Sequence, residues 1–304
     1  MKHNTKITLI ILGMFLITQF LGIYVVNHYI NNELPLGFET HEIEETGQYN
    51  VALVYLLFAF VIAVILMLLL SKLNFAFILK AWFFIVVTIA LMISFNSFIP
   101  KFLPFNFNIL EVSVTWIFIS LLALVLAYVK IFKRNFLVHN LTEIFIYPGI
   151  AAIFVQILNV YTVVALLVLI SVYDIWAVWH SGIMQKMAKY QIKKLNIFSG
   201  FFVSYIPKNM KLKLSKMKPA QLRKKKIKVN VAILGGGDVV FPIIAAGVML
   251  KTLGIYSALF VAIGATIGLA YLLFFSEKKK FYPAMPFIST GIFLGIALSY
   301  LVLT

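Results

Sequence analysis

The chain has 304 residues, of which 62% are hydrophobic and only 12% are charged, and its formal net charge is +16. A soluble domain of this composition could not cover its surface with polar groups, so we expect a multi-pass protein of the cell membrane. The absence of Cys excludes disulfides, thiol nucleophiles and Cys-ligated metals.

Nine apolar runs are long enough to cross a bilayer as helices, since about 20 helical residues span its hydrocarbon core. In chain order they cover residues 7–26, 51–70, 81–99, 109–129, 142–158, 160–184, 229–250, 255–275 and 283–304. The first six form a membrane unit over residues 1–184, and the last three form a second unit over 229–304. The predicted fold class is therefore all-α, with nine transmembrane helices.

The basic residues predict how these helices are oriented. Cytoplasmic segments of membrane proteins carry an excess of Lys and Arg. With the N-terminus in the cytoplasm, all of the 26 Lys and Arg residues except Lys101 and Lys251 fall on the inner side. The C-terminus of a nine-span chain is then extracytoplasmic. The positive charge reflects this topology, and no nucleic-acid partner is expected.

The connection over residues 185–228 holds 14 Lys or Arg residues and no Asp or Glu. Its apolar stretch Leu195–Ile206 lies between basic clusters. Such a mixture is typical of a segment that lies on the inner leaflet and contacts anionic lipids. A solvated linker is the alternative for this cytoplasmic loop.

Two carboxylates stand out inside the long apolar runs: Asp174 in the sixth span and Asp238 in the seventh. A charge at mid-bilayer costs roughly 2.5–3.5 kcal/mol even on the lenient insertion scale, so its default interpretation is functional. Asp174 lies about 18 Å of helix before Lys186, and Asp238 about 15 Å after Lys228, at 1.5 Å per residue. Neighbouring antiparallel spans would hold both groups at nearly one depth.

Two carboxylates at one depth can form a dyad that shares a proton and carries one negative charge. The ionised partner can take a proton from water, while the protonated partner donates to a carbonyl or a leaving amine. Such a pair can hydrolyse a peptide bond without metal, cofactor or covalent intermediate.

The residues around Asp238 are typical of such a site. Gly235, Gly236 and Gly237 remove side chains from the preceding turn, which lets another backbone approach closely. Pro242 cannot donate the helical hydrogen bond to the Asp238 carbonyl and should bend the helix. An extended peptide could dock there. Close helix packing and a purely structural kink are the alternative explanations.

Three short motifs occur in order along the chain: Tyr173-Asp174, Gly235-Gly236-Gly237-Asp238 and Pro283-Ala284-Met285. They resemble the YD, GxGD and PAL signatures of the presenilin and signal peptide peptidase family, and the resemblance extends over the whole chain. The small size resembles the archaeal presenilin-like members most.

This resemblance implies an intramembrane aspartyl protease that cleaves transmembrane proteins or peptides. It makes Asp174 and Asp238 catalytic and places Pro283–Met285 beside them. The chain departs from the family pattern by having Met285 in place of Leu. Because Met is close to Leu in volume and flexibility, we expect the shape of the site to be kept.

Other functions remain open at this stage. The same carboxylate pair could serve a proton-coupled transporter or a cation pore. The internal repeats that are common in transporters are not evident, however. A prepilin-peptidase-type GxGD protease is a further alternative, although there a polar or basic residue typically follows the aspartate, whereas Val239 and Val240 follow Asp238.

The remaining polar residues point to no second site. The five His residues are scattered without ligand spacing, so we expect no metal. Glu111 and Glu143 are interpreted as water-accessible residues at helix ends. The pairs Gly264/Gly268 and Gly291/Gly295 are interpreted as internal packing sites, with homo-oligomerisation as the alternative.

Overall fold

The structure is a computed structural model that describes residues 5–37, 76–102, 108–109, 112–133, 135–181, 199–205, 230–277 and 282–304, together with part of 51–69. Eight described helices are long and apolar enough to cross a membrane. The predicted second span is described only in part, and its described residues are helical. The predicted polytopic helical architecture is confirmed.

The helices occur in two groups separated by the basic connection. The first group consists of α1 (Thr5–Ile30), α2 (Ala76–Phe102), α3 (Val114–Tyr128), α4 (Phe136–Gln156) and α5 (Val160–Trp176). The second consists of α6 (Gly236–Leu253), α7 (Ile255–Phe275) and α8 (Met285–Leu303). Short π-helical turns extend α3 over Val129–Lys133 and α5 over Ala177–Ser181.

Two short strand pairs accompany the helices, an addition to the predicted all-α class. Strands β1 (Asn108–Ile109) and β2 (Val112–Ser113) pair next to the start of α3. Strands β3 (Gly200–Tyr205) and β4 (Asn230–Gly235) form an antiparallel pair in which Gly200 is opposite Gly235 and Tyr205 is opposite Asn230.

The β3–β4 pair corrects one expectation. The seventh span was predicted to begin at Val229, but residues Asn230–Gly235 form β4 and α6 begins at Gly236. The described part of Leu195–Ile206 forms β3, in which Phe201 is fully buried in the protein, and the contact of this stretch with the inner leaflet stays a prediction. Most of residues 185–228 lies outside the described part of the chain.

Helix α6 is the centre of the described bundle. It contacts α1, α4, α5, α7 and α8. Every residue from Pro242 to Leu250 is buried, so the helix is covered all round and not along one stripe. A helix that is apolar on all sides is typical of a central position. This position lets α6 carry the Asp238 motif into the interior.

Glycines set the close packing of α7 against α8. A Cβ added to Gly264 would lie 2.2 Å from the Gly291 carbonyl oxygen, and one added to Gly291 would lie 2.1 Å from the Gly264 carbonyl oxygen. These backbones are in direct contact, as expected for small residues at membrane helix interfaces. The prediction that the glycine pairs serve internal packing is confirmed.

Candidate active site

Asp174 and Asp238 lie at helix ends that meet in the interior. Asp174 is in the last turn of α5, just before the π-helical turn, and Asp238 is in the first turn of α6. Only 6% and 9% of their surfaces are exposed. The two helices that carry them, α5 and α6, pack against each other. The structure therefore brings together the two predicted carboxylates.

The position of Asp238 differs from the prediction in one respect. We expected about 15 Å of helix between Lys228 and Asp238. Because β4 occupies Asn230–Gly235, Asp238 is only the third residue of α6. A carboxylate in the first turn of a helix is stabilised by the positive end of the helix dipole. The α6 backbone thus offsets part of the cost of burying this group.

Helix α8 holds Asp174 through its backbone. The Met285 N–H donates a hydrogen bond to Asp174 Oδ2 at 3.1 Å, and Met285 is the first residue of α8. The N–H groups of a first helical turn have no partner within the helix, so they are available to an anion. Pro283 is buried and Ala284 half-buried beside this contact. The Pro283–Met285 motif therefore contacts one aspartate, as the resemblance implied.

The replacement of Leu by Met at position 285 does not disturb this contact. The donor to Asp174 is a backbone group, which every residue except proline supplies. The Met285 side chain is 3% exposed and packs in the core. Its flexible, apolar chain can fill a space suited to Leu.

The three glycines before Asp238 differ in their surroundings. A Cβ added to Gly235 would lie 3.2 Å from Asp238 Oδ2, and one added to Gly236 would lie 2.9 Å from both Tyr147 Oη and Ser199 Oγ. A Cβ added to Gly237 would meet only the Phe241 ring, at 3.6 Å. Gly236 is therefore the most crowded of the three, and Gly237 has room for a small side chain.

Gln19 and Pro242 shape the turn after Asp238. Helix α6 continues through Pro242, which has no N–H to donate to the Asp238 carbonyl. One residue further on, the fully buried Gln19 of α1 donates from Nε2 to the Val239 carbonyl at 3.1 Å. A polar side chain from α1 thus supports this part of α6.

The prediction that Glu143 is water-accessible at a helix end is wrong. Glu143 lies well inside α4, is 1% exposed and pairs with Lys130 at 2.6 Å. The predicted fifth span begins at Thr142 and therefore leaves His139 and Asn140 outside the helix. The spacing of His139, Glu143 and Tyr147 at i, i+4 and i+8 is the signal that could have revealed one polar helical stripe.

The remaining candidates fit less directly. Tyr173 is half-buried next to Asp174, and its ring centroid lies 6.3 Å from that of Trp176. Its role in shaping the site stays a prediction. Within the described ranges, no group of three His, Asp or Glu residues could hold a metal ion.

Helices able to cross a membrane, with two carboxylates buried where two of these helices pack together, define a class: helical membrane proteins with an internal acidic pair suited to aspartyl chemistry. The chain belongs to the signal-peptide peptidase and presenilin aspartyl protease family, whose model matches residues 12–304. It is an intramembrane aspartyl protease.

Solved structures share the fold. One, described as a presenilin family intramembrane aspartate protease in a C222 space group, is 16% identical with a TM-score of 0.61, and the match covers 97% of this chain and 99% of that one. Another, in a P2 space group, is 17% identical with a TM-score of 0.55 and 96% coverage of both chains. At these identities the likeness establishes the fold. No curated protein matches the chain at a significant level.

Proposed function

We propose that Asp174 and Asp238 are the catalytic pair that hydrolyses peptide bonds in or near transmembrane segments. The observation that carries this proposal is that two buried carboxylates lie on helices that pack against each other. Two such groups cannot both ionise without cost, so one proton is shared between them. One member of the pair is then a base and the other an acid.

The reaction follows from this division. The ionised carboxylate takes a proton from a water molecule, whose oxygen attacks the scissile carbonyl carbon while the protonated carboxylate donates its proton to the carbonyl oxygen. The tetrahedral intermediate then collapses as its C–N bond breaks, and the leaving amine receives a proton from the pair.

An extended substrate segment fits the surroundings of the pair. A helical substrate would hide its carbonyls in its own hydrogen bonds, so it must unwind locally. Strand β4 runs directly into Gly235, three residues before Asp238, and an exposed strand edge binds extended peptides by adding them as a further strand. We propose that the substrate docks beside β4.

Isosteric variants test the catalytic pair. Asp174→Asn and Asp238→Asn should each lower cleavage of a transmembrane peptide in liposomes by at least about 10²-fold, since each removes a proton-transfer group. Glu33→Gln, which neutralises an exposed carboxylate, is the matched control and should leave the rate unchanged. Equal product from wild type and both Asn variants would overturn the proposal. Ion flux lost in both variants, with cleavage kept, would favour a pore.

The basic connection is proposed to contact anionic headgroups. Its 14 Lys or Arg residues without an acidic residue support this role, since each basic residue near an anionic surface contributes about 1 kcal/mol. Cleavage in vesicles with and without anionic lipid checks it, and an identical rate in both would contradict it.

A further inference from the structure

Helix α4 presents a row of polar side chains to the protein interior. The row consists of His139, Asn140 and Glu143, each no more than 9% exposed. Lys130, from the π-helical turn after α3, reaches the same place and is 8% exposed. The catalytic chemistry uses none of these groups, although burying them is costly unless each is paired.

The charges within this row are balanced. Lys130 Nζ lies 2.6 Å from Glu143 Oε1 and 3.3 Å from His139 Nδ1. His139 Nε2 lies 2.9 Å from the Gly200 carbonyl oxygen, which can only accept, so Nε2 carries the proton and Nδ1 accepts from Lys130. The row therefore contains one ion pair and a neutral imidazole.

The row bonds to the backbone of β3 at every other residue. His139 donates to the Gly200 carbonyl, and the Gly200 N–H donates to Glu143 Oε1 at 3.3 Å. The Asn140 side-chain amide makes two hydrogen bonds to the Phe202 backbone. Asn140 Nδ2 donates to the Phe202 carbonyl at 3.0 Å, and the Phe202 N–H donates to Asn140 Oδ1 at 3.2 Å. Side chains of α4 thus occupy the β3 edge at both residues.

This arrangement determines which edge of the β3–β4 pair is free to pair with a further strand. Residues along an antiparallel strand direct their backbone groups alternately toward and away from the partner strand. The backbone N–H and C=O groups of Gly200 and Phe202 point toward α4 and away from β4. In an antiparallel pair, opposite residues behave alike, so the backbone groups of their register partners Gly235 and Ile233 point away from β3. In the described part of the chain, no hydrogen bond reaches the outward backbone groups of Ile233, whose side chain is 46% exposed.

We propose that the α4 row is a positioning element that closes the β3 edge, so that an extended substrate can join the sheet only at β4, in a register set by the distance from Ile233 to Asp238. Asn140 and Glu143 are the positioning residues. The proposal rests on the proposed function, because it assumes that Asp174 and Asp238 cut a substrate docked beside β4.

Asn140→Leu tests the proposal, since it keeps the branched shape and the number of heavy atoms of the side chain and removes both bonds to Phe202. In detergent or liposomes, the Phe202 amide should exchange its hydrogen about five- to ten-fold faster, the factor that one net hydrogen bond corresponds to. Mass spectrometry of the products should show additional cut sites, with a raised KM. Thr142→Val is the matched control, because the buried Thr142 hydroxyl bonds only to the His139 carbonyl of its own helix.

A pair of double variants keeps the test decisive if Asn140→Leu does not fold. Lys130→Met/Glu143→Gln removes the ion pair but keeps an oxygen for the Gly200 N–H, whereas Lys130→Met/Glu143→Leu removes that oxygen as well. The first should retain the wild-type cut sites, and the second should add new ones. Identical products and identical β3 exchange in both would overturn the proposal.

Hydrogen exchange in the Asp238→Asn background separates this proposal from the catalytic one. It reports the closure of β3 in a protein that does not cleave. If the Asp174→Asn and Asp238→Asn proteins cleave as fast as wild type while hydrogen exchange in β3 still depends on Asn140, the catalytic assignment fails and the closure of β3 stands. If the Phe202 amide exchanges equally fast in Asn140→Leu/Asp238→Asn and in Asp238→Asn, the proposed closure of the β3 edge is wrong.

Discussion

At the scale of single residues, backbone groups account for much of the site. The Met285 N–H holds Asp174, and the first turn of α6 carries Asp238. Backbone donors are independent of side-chain identity. This explains how the chain can depart from the family pattern at position 285 and still keep the contact with Asp174.

Gly236 gives the sharpest prediction at this scale. It occupies the variable position of the GxGD pattern, yet a Cβ there would lie 2.9 Å from Tyr147 Oη and Ser199 Oγ. Gly236 is half-buried, but its neighbour Tyr147 is buried and has little room to move. Overpacking against such a side chain typically costs about 1–3 kcal/mol, so Gly236→Ala should lower kcat/KM by about ten-fold or more. Steady-state cleavage of a transmembrane peptide measures the effect.

Gly237→Ala is the matched control for this prediction. Its Cβ would meet only the Phe241 ring at an ordinary contact distance of 3.6 Å, so its activity should stay within about two-fold of wild type. Equal losses in the two variants would show that helix start geometry, and not contact with Tyr147, makes position 236 sensitive.

At the scale of elements, hydropathy predicted the membrane helices well because a bilayer fixes their length. Helix α7 lies at the predicted residues 255–275. The strand β4 was not predicted, since a short apolar run such as Val231–Leu234 does not distinguish strand from buried helix by its periodicity. The pairing with β3 comes from residues about 30 positions earlier, which local patterns cannot reveal.

The first turns of α4 were not predicted as helix because their residues are polar. His139 and Asn140 are polar, so hydropathy excluded them from the predicted span 142–158, and Glu143 was placed at the end of that span. Their burial depends on partners in α3 and β3 that the sequence places far away. The two aspartates were predictable because each is an isolated charge in an apolar run. The residues that support them were not, because each is recognisable only with its partner.

The contact between α7 and α8 gives a prediction at this scale. Gly291→Val would push a branched side chain into the Gly264 carbonyl, where a Cβ already has only 2.1 Å. Because α8 supplies the Met285 N–H, the variant should lose both thermal stability, by about 1–3 kcal/mol, and cleavage activity. Thermal unfolding in detergent and peptide cleavage measure the two effects.

Gly13→Ala serves as the reference for Gly291→Val. An added Cβ at Gly13 meets nothing within 4 Å of the described atoms, so stability and activity should both stay near wild type. A Gly291→Val protein with unchanged unfolding temperature would show that α7 and α8 can separate without cost, against the packing described above.

At the scale of the whole molecule, the charge distribution predicts which membrane orientation of substrate the enzyme prefers. If the N-terminus is cytoplasmic, as the positive-inside pattern predicts, the active-site helices have the presenilin-like orientation, opposite to that expected of signal peptide peptidase. We expect faster cleavage of single-span reporters whose N-terminus is outside. Reporters of both orientations in oriented liposomes measure this, and faster cleavage of the reporter with its N-terminus inside would contradict it.

The register of β3 with β4 also bears on the continuity of the polypeptide. Tyr205 lies opposite Asn230, so the two residues that flank the connection between the strands are adjacent. A break within this connection would yield one fragment bearing Asp174 and another bearing Asp238 and Met285. Strand pairing, together with the packing of α6 on α1, α4 and α5, would keep the fragments associated. The acidic pair can thus be shared between two polypeptides without any change in its surroundings.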